Sequence, residues 1–275
     1  MTVLSTLGES LRRDDRDRFV CALFAPAGVR ESLFALYGFD REIGRVVESH
    51  REPMLARIRL QWWRDALPRI VAGSPPRHPI AESLAAAIRA HGLGQEGFDR
   101  LLDAYDAEID GPPADMTALA TCAANIEGSV TDLALDVLGG SAAREAGRHT
   151  AIAWWLVQRL RGVAHQAVYR RHGLPDTPLQ RAGVDIEAML MGRGGPSLAS
   201  VVAEIAGMAE AHLAEARALS RDVPRAAIPA LLPVTLANVY LGRLRRAGFD
   251  PFNPRVQQPG AGRLRLLINA WRGRY

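Results

Sequence analysis

The stretch AWWLVQRLRGVAHQAVYRRHGLP, residues 153–175, decides how the chain is read. Its apolar residues recur at helical spacing, so the periodicity predicts a long helix. The inward stripe is interrupted by Gln158, Arg161, His165 and Gln166. Gln158, Arg161 and His165 follow an i, i+3, i+7 spacing, which sets them on roughly one helical face. Polar groups on a face that belongs to the core are costly unless they find partners or line a cavity. This helix is therefore expected to wall a cavity.

The flanking sequence supplies further walls of the same kind. Residues 29–48 place Leu33, Leu36, Tyr37, Ile43 and Val47 at helical spacing. A second helix covers 54–71, with Pro68 bending it or ending it early. Helices at 80–91 and 97–109 follow a proline-marked loop, and Asp115 is placed to cap a helix over 116–138. That helix is dominated by small residues, which let neighbours approach closely and predict a central position. Beyond 142–171 come a Pro/Gly-rich stretch at 173–183 and an amphipathic helix at 198–220. A proline-interrupted segment at 228–246 and a basic helix at 263–272 complete the order. Residues 10–24 have a charged half, RRDDRDR, and an apolar half, FVCALF. Period-2 alternation is absent, so the expectation is an all-α bundle with one domain over 1–275.

Composition narrows the function classes. A hydrophobic share of 48% beside 23% charged residues fits a soluble globular chain. No apolar run is long enough to span a bilayer, and the charges at 12–18 argue against a signal peptide, so a cytoplasmic protein is expected. Cys21 and Cys122 lack metal-ligand spacing and are expected to be buried free thiols. All 34 basic residues are arginine. A pI of 9.6 suits an anionic membrane, a nucleic acid or an anionic ligand. The arginines are scattered and accompany no recognition motif, which leaves nucleic acid without support. The tail RLRLLINAWRGRY at 263–275 sets Leu264, Leu267, Ile268 and Trp271 on one face, with Arg263, Arg265, Arg272 and Arg274 supplying charge. It reads either as an amphipathic helix for an anionic membrane surface or as a last helix packed on its own core.

P-loop, GxGxxG, GxSxG and HExxH patterns are all missing. The GRGG at 192–195 runs into Pro196 and reads as a flexible loop. His149, His165 and His172 match no ligand spacing, so no metal site is expected. Two carboxylates four residues apart on a helix hold Mg²⁺ well. In the 29–48 helix the residue four before Glu48 is Gly44, and Asp40 lies about 12 Å away along the axis. Glu48 is therefore expected to be solvated or paired with Arg45 or Arg51. Arg41, Arg45, Arg161, Arg170 and Arg171 either assemble an anion site or pair with Asp40, Glu127 and Asp132.

Taken in order, five stretches resemble the squalene/phytoene synthase family. They are ALYGFDREIGRVVES at 35–49, LQWWRDAL at 60–67, MTALATCAANIEGSVTDLALDVLG at 116–139, the 153–175 stretch, and ALLPVTLANVYLGRLRRAGFDPF at 230–252. The resemblance covers most of the chain and implies an isoprenoid-synthase-like helical bundle around a central cavity. Active members carry two DxxxD motifs that bind Mg²⁺ and the substrate diphosphates. The match puts the first motif at Gly44 and Glu48 and the second at Gly162 and Gln166, so three of four positions lack a carboxylate. The tyrosine of the family's YLP sequence falls at Gly173, while Arg41 and Arg161 match basic positions beside the motifs. Ionising an allylic diphosphate needs its developing charge neutralised by metal ions. The resemblance thus implies that the reaction is lost or very weak. FDREI and IRLQWW also look like a degenerate branch of the family, the mitochondrial complex I assembly factors.

What the resemblance implies is a non-catalytic assembly or lipid/isoprenoid-binding factor that uses no cofactor. Its partners would be a respiratory-complex protein, an isoprenoid or lipid ligand, and an anionic inner membrane touched from the cytoplasmic side. The cavity candidates are Tyr37, Arg41, Glu48, Gln158, Arg161, His165, Gln166 and Arg171. The alternative is an active Mg²⁺-dependent isoprenyl diphosphate transferase.

Overall fold

A computed structural model describes residues 4–49, 52–258, 260 and 262–275. The helices are α1 (Thr6–Asp14), α2 (Arg16–Ala22), α3 (Arg30–Ser49), α4 (Pro53–Val71), α5 (Pro79–His91), α6 (Gln95–Ile109), α7 (Met116–Val137) and α8 (Arg144–Val168). They continue with α9 (Asp176–Arg181), α10 (Ile186–Leu190), α11 (Pro196–Ala218), α12 (Ile228–Leu231), α13 (Pro233–Arg246), α14 (Pro254–Gln257) and α15 (Arg263–Trp271). The described residues contain no strand, and the fold is all-α.

Local chemistry sets the helix ends. Asp115 accepts from the Ala118 amide at 2.8 Å and starts α7 as expected. Pro53 and Pro79 open α4 and α5, where a missing N–H costs nothing. Pro68 does not end α4, which runs on to Val71. The ring sits on the exposed face of the last turn, where a missing backbone bond is open to solvent. The 228–246 segment does break, into α12 and α13 at Pro233. The Pro/Gly-rich stretch at 173–183 holds the short helix α9, and another short helix, α14, precedes the basic last one.

Helix α8 is the spine, packed between α7 and α11 and touching α13. Small residues permit these approaches: a Cβ on Gly147 of α8 would lie 2.8 Å from Leu135 Cδ1 of α7. Helix α3 packs on α1, α5, α6 and α7. One buried apolar cluster runs from Leu11 to Tyr275. The 225–246 segment is long and apolar enough to cross a membrane, but 78% of its apolar window is buried within the bundle. Cys21 is buried as expected, whereas Cys122 is only half-buried, a correction: it packs at the edge of the core, within reach of the charges of Glu108 and Arg159.

Candidate cavity and its buried charge network

Where α8 draws away from α3, α4 and α6, a cavity of about 570 Å³ opens. Gly44, Val47 and Glu48 come from α3, Pro53 and Ala56 from α4, and Tyr105, Glu108 and Ile109 from α6. Helix α8 contributes Trp155, Gln158, Arg159, Gly162, His165 and Gln166, and the turn after it contributes residues 169–173. The expected motif positions Gly44, Glu48, Gly162 and Gln166 therefore meet around one space. Gln158, His165 and Arg171 line it too.

Three candidates do not. Tyr37 is 4% exposed and lies in the core with the Arg18 guanidinium 5.2 Å from its ring centroid. It stands two turns before Gly44, beyond the reach of the cavity. Arg161 turns away from the cavity, stacks 3.7 Å over Tyr240 and donates to Gln158 Oε1 at 2.6 Å. Arg41 is drawn along α3 to Glu48, with Nη2 and Oε2 3.3 Å apart. That pairing replaces the expected Glu48 partners: Arg45 pairs with Asp14 at 2.6 Å, and Arg51 lies outside the described residues.

The motif positions differ in what surrounds them. A Cβ on Gly44 would stand 3.2 Å from the Tyr105 hydroxyl, so a side chain there has to push the phenol aside. Gly162 has nothing within 4 Å of its would-be Cβ and faces open cavity. Gln166 Oε1 is buried without a partner. Gly173 has φ +62°, and a Cβ on it would collide with Gln166 Oε1 and come within 2.8 Å of Arg159 Nη1. Arg159 itself pairs with Glu108 and lies 4.1 Å over the Trp155 ring. Arg171 straps the mouth, donating to the Val47 carbonyl at 2.6 Å and the Glu108 carbonyl at 3.0 Å. Burial lowers the pKa of His172, whose Nδ1 accepts from the Leu174 amide. Arg170 pairs with Glu187 at 2.7 Å.

Mg²⁺, which active members of the family use, does not fit these residues. The acid left at the motif positions is held by Arg41, and the other three positions offer two glycines and an amide. Among the described residues no three His, Cys, Asp or Glu side chains converge as metal ligands would.

Beneath the cavity floor lies a network that sequence reasoning missed. Arg18 of α2 is 6% exposed and reaches Asp15 and Asp40 at 2.6 Å and Glu127 at 3.4 Å. Tyr105 donates its hydroxyl to Asp40 Oδ1 at 2.9 Å, linking the network to the cavity wall. Arg18, not the arginines expected, is thus the partner of Asp40 and Glu127, and Arg144 is that of Asp132 at 3.2 Å. The signal was Arg18 beside Phe19, at the boundary where the charged run meets the apolar one.

Burial would raise the Asp15 pKa, but the charge and hydrogen bonds of Arg18 win and hold it low. For the more distant Glu127 burial wins, and its carboxyl is pushed up to about 8. The folded chain keeps that proton where the unfolded chain has released it. Stability is therefore greatest in this respect below the ordinary carboxyl range and falls as pH rises toward about 8. Glu127→Gln is expected to flatten that part of a Tm-against-pH profile; an unchanged slope would show that Glu127 is ionised in the fold.

Comparison with known proteins agrees with this architecture. The squalene/phytoene synthase family matches residues 11–267. The NADH dehydrogenase (ubiquinone) complex I assembly factor 6 of Mus musculus is 32% identical over 97% of the chain and 81% of its own length. The presqualene diphosphate synthase of Rhodopseudomonas palustris is 26% identical over 88% of each chain. A dehydrosqualene synthase of known structure superposes with TM-score 0.80 at 16% identity, over 97% of this chain and 94% of its own.

Proposed function

Because the chain belongs to the squalene/phytoene synthase family, we propose that it keeps the family's cavity as a binding site for an isoprenoid or other lipid chain and no longer catalyses diphosphate ionisation. In this reading it serves as an assembly factor for respiratory complex I, works without Mg²⁺ and attaches peripherally to an inner membrane from the cytoplasm. The likeness to complex I assembly factor 6 over almost the whole chain supports the assembly role. One observation carries the loss of catalysis: the space that metal-binding aspartates would need is occupied by Tyr105 at Gly44, and by an Arg41 ion pair at Glu48. The apolar walls from Val47, Ala56, Ile109 and Trp155 suit a hydrocarbon chain, and Arg171, held by backbone carbonyls, supplies a cationic end.

Incubation with farnesyl or geranylgeranyl diphosphate and Mg²⁺ is expected to release no diphosphate above the uncatalysed rate. Robust release that Glu48→Gln abolishes would sink the non-catalytic reading. Binding is tested separately with Gly162→Leu. Its Cβ points into open cavity, and the helix gains about 1 kcal/mol when a glycine is replaced. The variant is expected to be at least as stable as the parent and to lose the thermal shift that farnesyl diphosphate gives the parent. Equal shifts in both proteins would place the ligand elsewhere.

A further inference from the structure

A second concavity lies on the far side of the bundle. A groove of about 720 Å³ runs between α11, α13 and α15. Arg217, Arg245, Arg246, Arg263 and Arg265 line it, against a single acid, Glu210, which Arg245 already neutralises. Among the described residues Arg217 and Arg265 make no hydrogen bond or ion pair, and Arg246 has only the Gly242 carbonyl at 2.9 Å. Uncompensated arginines in a shared groove repel one another, and the arrangement is favourable only with an anion among them.

The lip of that groove is α15, and it is fixed rather than frayed. Leu266 is 1% exposed, Asn269 donates to Thr235 Oγ1 at 2.9 Å, and Tyr275 donates to the Ala216 carbonyl at 2.8 Å. These anchors turn the opposite face outward. Leu264, Leu267, Ile268 and Trp271 are 71%, 55%, 38% and 79% exposed, and they share one helical stripe. From Pro251 to Tyr275 the sequence holds five arginines and no acidic residue. An apolar stripe bordered only by cations matches a surface that is apolar inside and anionic at its boundary.

We propose that the α11–α13–α15 groove takes the phosphate headgroup of an anionic phospholipid while the α15 stripe enters the adjoining acyl layer, so that this face docks on an anionic bilayer. The site rests on the peripheral-membrane part of the proposed function and is independent of the central cavity. A protein partner is a poorer match, because a protein surface offering both an apolar strip and unbroken negative charge would itself be costly to leave exposed.

The test is flotation of the full chain with vesicles of phosphatidylcholine alone and of phosphatidylcholine mixed with phosphatidylglycerol. Binding is expected only to the mixed vesicles and is expected to weaken as salt rises. Arg217→Gln and Arg246→Gln should each weaken it about 5-fold. Leu267→Ser with Trp271→Ser should reduce it at least about 10-fold. All four side chains are exposed, so Tm and the far-UV circular dichroism should stay at the parent's values. Equal binding to both vesicle types, anionic binding that survives the arginine substitutions, or self-association through α15 with no vesicle binding would each overturn the proposal. Because neither cavity ligand nor complex I enters the measurement, its failure leaves the cavity reading standing.

Discussion

Arg18→Met is expected to cost about 3–5 kcal/mol of folding stability, the range for breaking a buried ion network by removing one partner. Methionine keeps the packing volume and removes the cation that touches Asp15, Asp40 and Glu127 together. Asp15 and Asp40 would then lie in the interior as unopposed carboxylates, and each must either take up a proton or draw in water. Against a typical total of about 5–15 kcal/mol, the loss brings the chain close to its unfolding threshold. Urea denaturation reads the shift as a lower midpoint. Acid should partly rescue the variant, since protonating the stranded carboxylates removes the penalty. A loss below about 1 kcal/mol would mean that water, and not Arg18, balances these acids.

Gly173→Tyr should be the next most damaging change. It installs the residue that the family resemblance puts at this position, yet two independent costs oppose it. At φ +62° a side chain occupies the left-handed region, at about 1–2 kcal/mol. Its Cβ also strikes Gln166 Oε1 and crowds Arg159 Nη1. Overpacking of this kind typically costs about 1–3 kcal/mol. Together they predict a destabilisation of about 2–5 kcal/mol, and Gly173→Ala, whose Cβ meets both obstacles, should already show much of it. A tyrosine variant as stable as its parent would indicate that the turn at 169–173 repacks freely.

Much of this was legible in the sequence, and the failures share a cause. Helices with a clear apolar stripe, such as α3, α7 and α8, were expected within a few residues of their observed ends. The convergence of Gly44, Glu48, Gly162 and Gln166 followed from the family pattern. What periodicity does not encode is which way a long polar side chain turns. Arg41 and Arg161 sit on the expected helices but spend their charge on Glu48 and Asp17. Arg18 was hidden in RRDDRDR, a run that reads as a solvated face. Tyr105 and Glu108 were masked in a similar way, because Asp103 and Asp106 on the same helix, and Asp110 just after it, serve Arg57 and Arg64 at the surface.

The close approach of Tyr105 to Gly44 ties the cavity wall to the buried ion network. Tyr105 holds Asp40, and Asp40 holds Arg18. An aspartate at position 44 would press on the phenol, and shrinking the phenol first would leave Asp40 short of a donor. Positions 44 and 105 are thus interlocked: neither can be exchanged alone without disturbing the buried ions, and installing the family's full acidic pattern would demand coordinated changes at 44, 105, 162 and 166.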